Sequence, residues 1–134
     1  MTARTPSRRA RPFMLYHWSP VDRRTSILRN GLCPRKKSWS IDRWRPHYLC
    51  FSRTPSVAWA LSAAHSGKAG AWDLWCCWSN QIGPYATVNP SKTPRKDWHM
   101  TEYRSFQRIP VKHVWHVGLR AFRPCKRGCR GAFG

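Results

Sequence analysis

Apolar and polar positions alternate along this chain in short runs, each closed by a turn or capping residue. The first run, Phe13-Met14-Leu15-Tyr16-His17-Trp18, predicts a strand over 13–18 with Phe13, Leu15 and His17 on one face. Ser19 then predicts an N-cap and Pro20 a first helical position. In the helix that follows, Val21, Ile27 and Leu28 face a core and Arg23, Arg24 and Arg29 face outward. Asn30-Gly31 predicts the stop, because glycine takes the left-handed conformation that ends helices.

Residues 47–52 repeat the strand pattern, with Tyr48, Cys50 and Ser52 on one face and Leu49 and Phe51 on the other. Thr54 predicts a second cap and Pro55 a second helix start, with Val57, Ala58, Leu61 and Ala64 as the buried stripe up to Ser66-Gly67. Ala71 to Trp78 is apolar on both parities, the pattern of a strand buried on both faces. Residues 80–97 hold Pro84, Pro90 and Pro94 and predict a long connection. A further strand is expected over 98–106, with Met100, Glu102, Arg104 and Phe106 on one face. A turn follows at Ile109-Pro110, and a last strand runs from Val114 to Leu119. Strand, helix, strand, helix, then three strands describes an α+β fold with helices segregated from the later sheet. The expected organisation is a flexible basic arm at 1–12, one domain at 13–119, and a basic, Gly-rich tail at 120–134.

Composition turns attention to the partner. The 134 residues hold 25 Lys and Arg against five acids, a formal net charge of +20. Self-repulsion of that size costs stability unless an anionic partner offsets it. Nucleic acid is the leading partner class, because releasing phosphate counterions rewards a dense basic surface. The basic stretch 33–46 interleaves its cations with Trp39 and Trp44. It reads either as a backbone-tracking, base-stacking surface or as a solvated loop anchored by its tryptophans. No apolar run is long enough for a transmembrane helix, and no clear basic amphipathic helix marks a membrane surface, so the expected location is cytoplasmic. Six cysteines in such a setting argue against a disulfide framework, and Cys33, Cys50, Cys76 and Cys77 read as buried thiols.

Glu102 is the single glutamate of the chain. In so basic a context, neighbouring cations keep it ionised. It reads as an ion-paired carboxylate, with Arg104 as partner, or as a functional acid on a strand between Trp98 and Tyr103. His17 ends a strand where a helix begins and free N–H groups favour anions. A third constellation, His113, His116, Cys125 and Cys129, offers zinc-type ligands. On a strand His113 and His116 point to opposite faces, so no metal site is expected.

Three stretches of the chain resemble the ADP-ribosyltransferase superfamily. Leu15-Tyr16-His17-Trp18-Ser19-Pro20, with Ile27 and Gly31-Leu32 after it, is similar to the opening strand ending in Tyr-His and the helix finishing in Gly-Leu. His47-Tyr48-Leu49-Cys50-Phe51-Ser52, with Pro55 and Ala58, resembles the second motif. Thr101-Glu102-Tyr103-Arg104, with Ile109-Pro110 seven residues past the glutamate, resembles the third. That last spacing is similar to the DNA-modifying toxins of the thymine-linked type.

The resemblance implies a split antiparallel β-sheet with a few flanking helices, and NAD as substrate. His17 would hydrogen-bond the nicotinamide ribose, Tyr48 would stack on the nicotinamide, and Ser52 would line the same face. Trp18 and Ser19 would flank that site. Glu102 would contact the ribose 2′-hydroxyl and stabilise the cationic sugar formed as nicotinamide leaves. Trp18 replaces a small residue of the family, and Cys50 competes with Tyr48 for the stacking position. RNA 2′-phosphotransferases share the fold and use NAD, but they rely on histidine and arginines and do not depend on the glutamate. A small basic chain of this type suits a bacterial or phage conflict protein. The alternative from another class is a non-catalytic nucleic-acid-binding module on the same fold.

Overall fold

The computed structural model describes residues 11–34 and 48–123. Six strands form one antiparallel sheet in the order β4-β5-β2-β1-β3-β6. They are β1 (Met14–Pro20), β2 (Leu49–Ser52), β3 (Gly70–Trp78), β4 (Tyr85–Val88), β5 (Glu102–Ser105) and β6 (Trp115–Phe122). Three short helices, α1 (Arg24–Asn30), α2 (Pro55–Leu61) and α3 (Ala63–Ser66), complete the α+β fold. The predicted arm up to Ala10, most of the basic stretch with Trp39 and Trp44, His47, and the tail from Pro124 lie outside the described residues.

The sheet has two halves. β1 and β3 pair over seven residues, from Met14–Trp78 to Pro20–Trp72. β2 and β5 pair throughout, from Leu49–Ser105 to Ser52–Glu102. Between these halves β1 and β2 share a single register pair, Tyr16–Ser52. Beyond it the strands part, and the ladder gives way to side-chain contacts.

Each face of the sheet buries its own core. On one side Leu15, Phe51, Trp75, Cys77 and Tyr103 pack with Ile27 of α1. On the other, Trp18, Trp72 and Leu74 pack against Ala58 and Trp59 of α2 and Ala63 of α3. The helices therefore lie on opposite faces of one sheet and are not segregated from it. β3 is buried on both parities from Trp72 to Cys77, as its apolar residues on both faces required, and the buried stretch takes in Asp73. Trp59, stacked edge-on by Trp18 at 4.8 Å and covered by Arg120 at 4.3 Å, anchors the second core.

Local signals explain most element ends. The Thr54 hydroxyl accepts from the Val57 N–H and Pro55 opens α2, the predicted cap. Gly31 takes φ 79° at the end of α1, and Leu32 then exchanges two main-chain hydrogen bonds with Ile109. Those bonds bring the Gly31-Leu32 stretch against Ile109-Pro110.

The expected Ser19 cap does not form. Ser19 and Pro20 still belong to β1, because the ladder to β3 continues through them, and a short 3-10 turn at Val21–Arg23 precedes α1. Leu28, expected in the core, is exposed. The second helix breaks at Ser62, whose hydroxyl donates back to the Ala58 carbonyl, and it buries Ala58, Trp59 and Ala63. The expected connection over 80–97 contains β4, a four-residue edge strand pairing with β5. Finally, β6 runs to Phe122, past the expected boundary at Leu119.

Candidate functional site

The parting of the two half-sheets sets the site. Past Tyr16–Ser52, the His17 ring reaches across to β2, and its Nδ1–H donates to the Cys50 carbonyl at 2.8 Å. A carbonyl only accepts, so Nδ1 carries the proton and Nε2 keeps its lone pair. Burial pushes the His17 pKa down to about 4. The Arg23 cation adds to this, against the hydrogen bond to Cys50, which favours the charged ring. His17 is thus a neutral imidazole at pH 7. Its ring packs on Phe51 at 5.4 Å.

A small cleft of about 40 Å³, open to solvent, lies against this ring between β1, β2 and α1. Its wall includes His17, Ser19, Arg23, Ser26, Cys33 and Leu49. One acceptor nitrogen, hydroxyl groups and a cation suit a ligand that carries both hydroxyls and anionic oxygens.

Cys50 also faces the other way. Its thiol donates to Glu102 Oε1 at 3.0 Å. Glu102, on the neighbouring β5, receives Arg104 Nε on Oε1 at 2.9 Å and Arg104 Nη2 on Oε2 at 3.2 Å. Both side chains are buried. The ion pair with Arg104 was legible in the sequence, since residues two apart on a strand share a face. Arg104 in turn covers the Tyr48 ring at 4.5 Å. These contacts fill three of roughly four acceptor sites on the carboxylate, leaving capacity on Oε2.

The register sorts the expected residues into two groups. Tyr16, Ser52 and Glu102 stand opposite one another across three strands and share one sheet face. His17, one residue past Tyr16, and Ser19 belong to the other face. The cleft accordingly takes in His17 and Ser19, while Tyr48, Ser52 and Glu102 are not part of its wall. Cys50 links the groups, through its carbonyl to His17 and through its thiol to Glu102. Trp18 turns into the α2-side core, 7% exposed, and its indole N–H donates to the Pro55 carbonyl at 2.9 Å. The bulky residue therefore leaves the space beside His17 open. Ser52 is fully buried, and its hydroxyl accepts from the Thr54 N–H.

A second charged group was not foreseen. Asp73, fully buried on β3, receives Arg24 on both oxygens at 2.6 and 2.9 Å and pairs with His116 Nε2 at 2.7 Å. Desolvation opposes its ionisation, but hydrogen bonds from Arg24 and His116 hold its pKa below the usual range. The signal was present in the sequence, because an acid inside an apolar strand demands a cationic partner. The same contact engages one of the two histidines weighed as zinc ligands, and Cys125 and Cys129 lie outside the described residues. Among the described residues, no helix is long and apolar enough to cross a membrane.

Comparison with known proteins gives no match, either to a family model or to a curated protein.

Proposed function

We propose that this protein is an NAD-dependent ADP-ribosyltransferase acting at the parting of its two half-sheets, with nucleic acid as the acceptor class. The observation that carries the reading is that His17 and Glu102 both hydrogen-bond Cys50, one at its carbonyl and the other at its thiol, from opposite faces of the sheet where β1 and β2 separate. In this reading the six-stranded sheet is the split sheet of that superfamily.

The chemistry follows from the groups present. Neutral His17 offers Nε2 to a ribose hydroxyl, and Arg23 meets the pyrophosphate. As the bond between ribose and nicotinamide breaks, its electron pair leaves with the ring, which becomes neutral, and positive charge builds on the sugar. A carboxylate already oriented by Arg104 stabilises that charge. A nucleophilic atom of the acceptor forms the new bond to the anomeric carbon, and its proton passes to Glu102 or to water. The test is release of nicotinamide from NAD by wild type and its loss in Glu102→Gln, with circular dichroism confirming the fold.

One observation favours a second reading, a non-catalytic nucleic-acid-binding module. Arg104 holds both oxygens of Glu102, and the wall of the His17 cleft includes neither Glu102 nor Tyr48. Under that reading binding to nucleic acid is indifferent to Glu102 and NAD is not bound.

A further inference from the structure

We infer that the sheet face carrying Trp78 and Trp115 is the docking surface for single-stranded nucleic acid. The inference rests on the choice of nucleic acid as partner and not on the transfer chemistry.

Trp78 closes β3 and Trp115 opens β6. Trp115 stands opposite Cys76, two residues before Trp78 on the same parity, so the two indoles share a face and lie diagonally across neighbouring strands. Side chains so placed have Cβ atoms about 7–8 Å apart, within mutual reach for aromatics. Trp78 is 40% and Trp115 44% exposed; Trp98, also exposed, lies off the sheet with Arg53 over its ring at 4.4 Å, and Trp18, Trp59, Trp72 and Trp75 are buried. The helices on this side cover the Trp18–Leu74 end of the sheet and leave the Trp78 end bare. Burying indole surface in a core is the ordinary use of tryptophan, and two exposed on one sheet face mark a contact surface.

Charge selects the occupant. Each of the four acids among the described residues already has a partner: Asp22 with Lys68, Asp73 with Arg24, Glu102 with Arg104, and Asp97 with the hydroxyls of Ser91 and Thr93. Among the described residues 14 Lys and Arg stand against these 4 acids, so a basic excess remains once the acids are paired. Exposed Arg11 and Lys112 each lie three residues before a strand at this end of the sheet, β1 and the Trp115 end of β6 respectively. Flat aromatic faces beside cations suit unpaired bases on a phosphate backbone. A duplex keeps its bases stacked inside, and a second copy of the chain brings the same positive charge.

The test is fluorescence anisotropy of a short labelled oligothymidylate with full-length protein at fixed salt. Trp78→Ala and Trp115→Ala are each expected to weaken binding roughly tenfold. Leu119→Ala, at a still more exposed apolar residue in register with Asp73 on the opposite face, is expected to leave it unchanged. The conservative Trp78→Phe and Trp115→Phe forms keep the packing and are expected to lose only severalfold, which keeps the test decisive if an alanine form unfolds. The same protein with a duplex of equal length is expected to bind without dependence on either indole. Binding of the single strand that ignores all the tryptophan variants, or absence of binding, overturns the proposal. So does self-association that depends on Trp115 while oligonucleotide binding does not. NAD turnover, measured separately, has no bearing on any of these outcomes.

Discussion

At the scale of single residues, His17 and Asp73 both shape the acid response of the protein. Burial holds the His17 pKa down to about 4 in the folded chain, against 6.5 when free. Between those values the unfolded chain binds a proton that the folded chain does not, so stability falls as the pH drops through that window. Asp73 acts lower. Its folded pKa lies below 3.8, so the stability it contributes is present above that value and is lost only as pH falls further. Urea midpoints between pH 6.5 and 4 are expected to decline in wild type and to flatten in His17→Gln. A decline unchanged by that substitution would assign the acid sensitivity elsewhere.

Asp73 also makes a direct mutational expectation. Removing one partner of a buried pair typically costs about 3–5 kcal/mol, and Arg24→Ala, which leaves buried Asp73 with His116 alone, is expected to cost less than that because the Arg24 side chain is partly exposed. His116→Gln, which leaves Arg24 in place, is expected to cost less still. Chemical denaturation of the two variants orders them. A smaller loss for Arg24→Ala than for His116→Gln would contradict the assignment of Arg24 as the main partner.

At the scale of elements, the ends were more legible than the faces. Thr54 and Pro55 mark the start of α2 because cap chemistry is local, and Thr54→Ala is expected to cost about 1 kcal/mol. Gly31 marks the end of α1 for a stronger reason than its positive φ. A Cβ there would meet the Ile109 carbonyl oxygen at 2.0 Å, so Gly31→Ala is expected to destabilise by more than about 2 kcal/mol and to loosen the Leu32–Ile109 contact. Denaturation midpoints check both, and Gly31→Ala should prove the worse of the two.

Where sequence reasoning missed, tertiary pairing had overridden a local signal. Ser19-Pro20 carries good capping chemistry, yet seven ladder pairs with β3 keep it in the strand. The Tyr85–Val88 segment has strand-forming residues, but flanking prolines disguised a four-residue edge strand. The candidate site divides in the same way. Glu102–Arg104 follows from strand parity alone. That His17 approaches Cys50 from the opposite side of the sheet from Glu102 follows from the Tyr16–Ser52–Glu102 register, which lies in the pairing of distant strands.

At the scale of the whole molecule, charge and sheet architecture give the protein two separate surfaces. The cleft beside His17 opens between β1, β2 and α1, while the exposed indoles stand at the far end of β3 on the opposite face. Binding of single strands is expected to weaken linearly in logarithmic salt, with a slope near −0.7 for each phosphate contacted. A slope near zero would mean that the basic excess does not touch the backbone.

In the proposed transferase reading, His17 and Glu102, both hydrogen-bonded to Cys50, act on NAD. Its most direct test is nicotinamide release from NAD by full-length wild type and Glu102→Gln, each with its fold verified and with single-stranded nucleic acid supplied as acceptor. Release by wild type that falls at least a hundredfold in the variant is the expected result, the scale on which a preorganised charge acts in a transition state. No release by folded wild type, or equal release by both proteins, would contradict it.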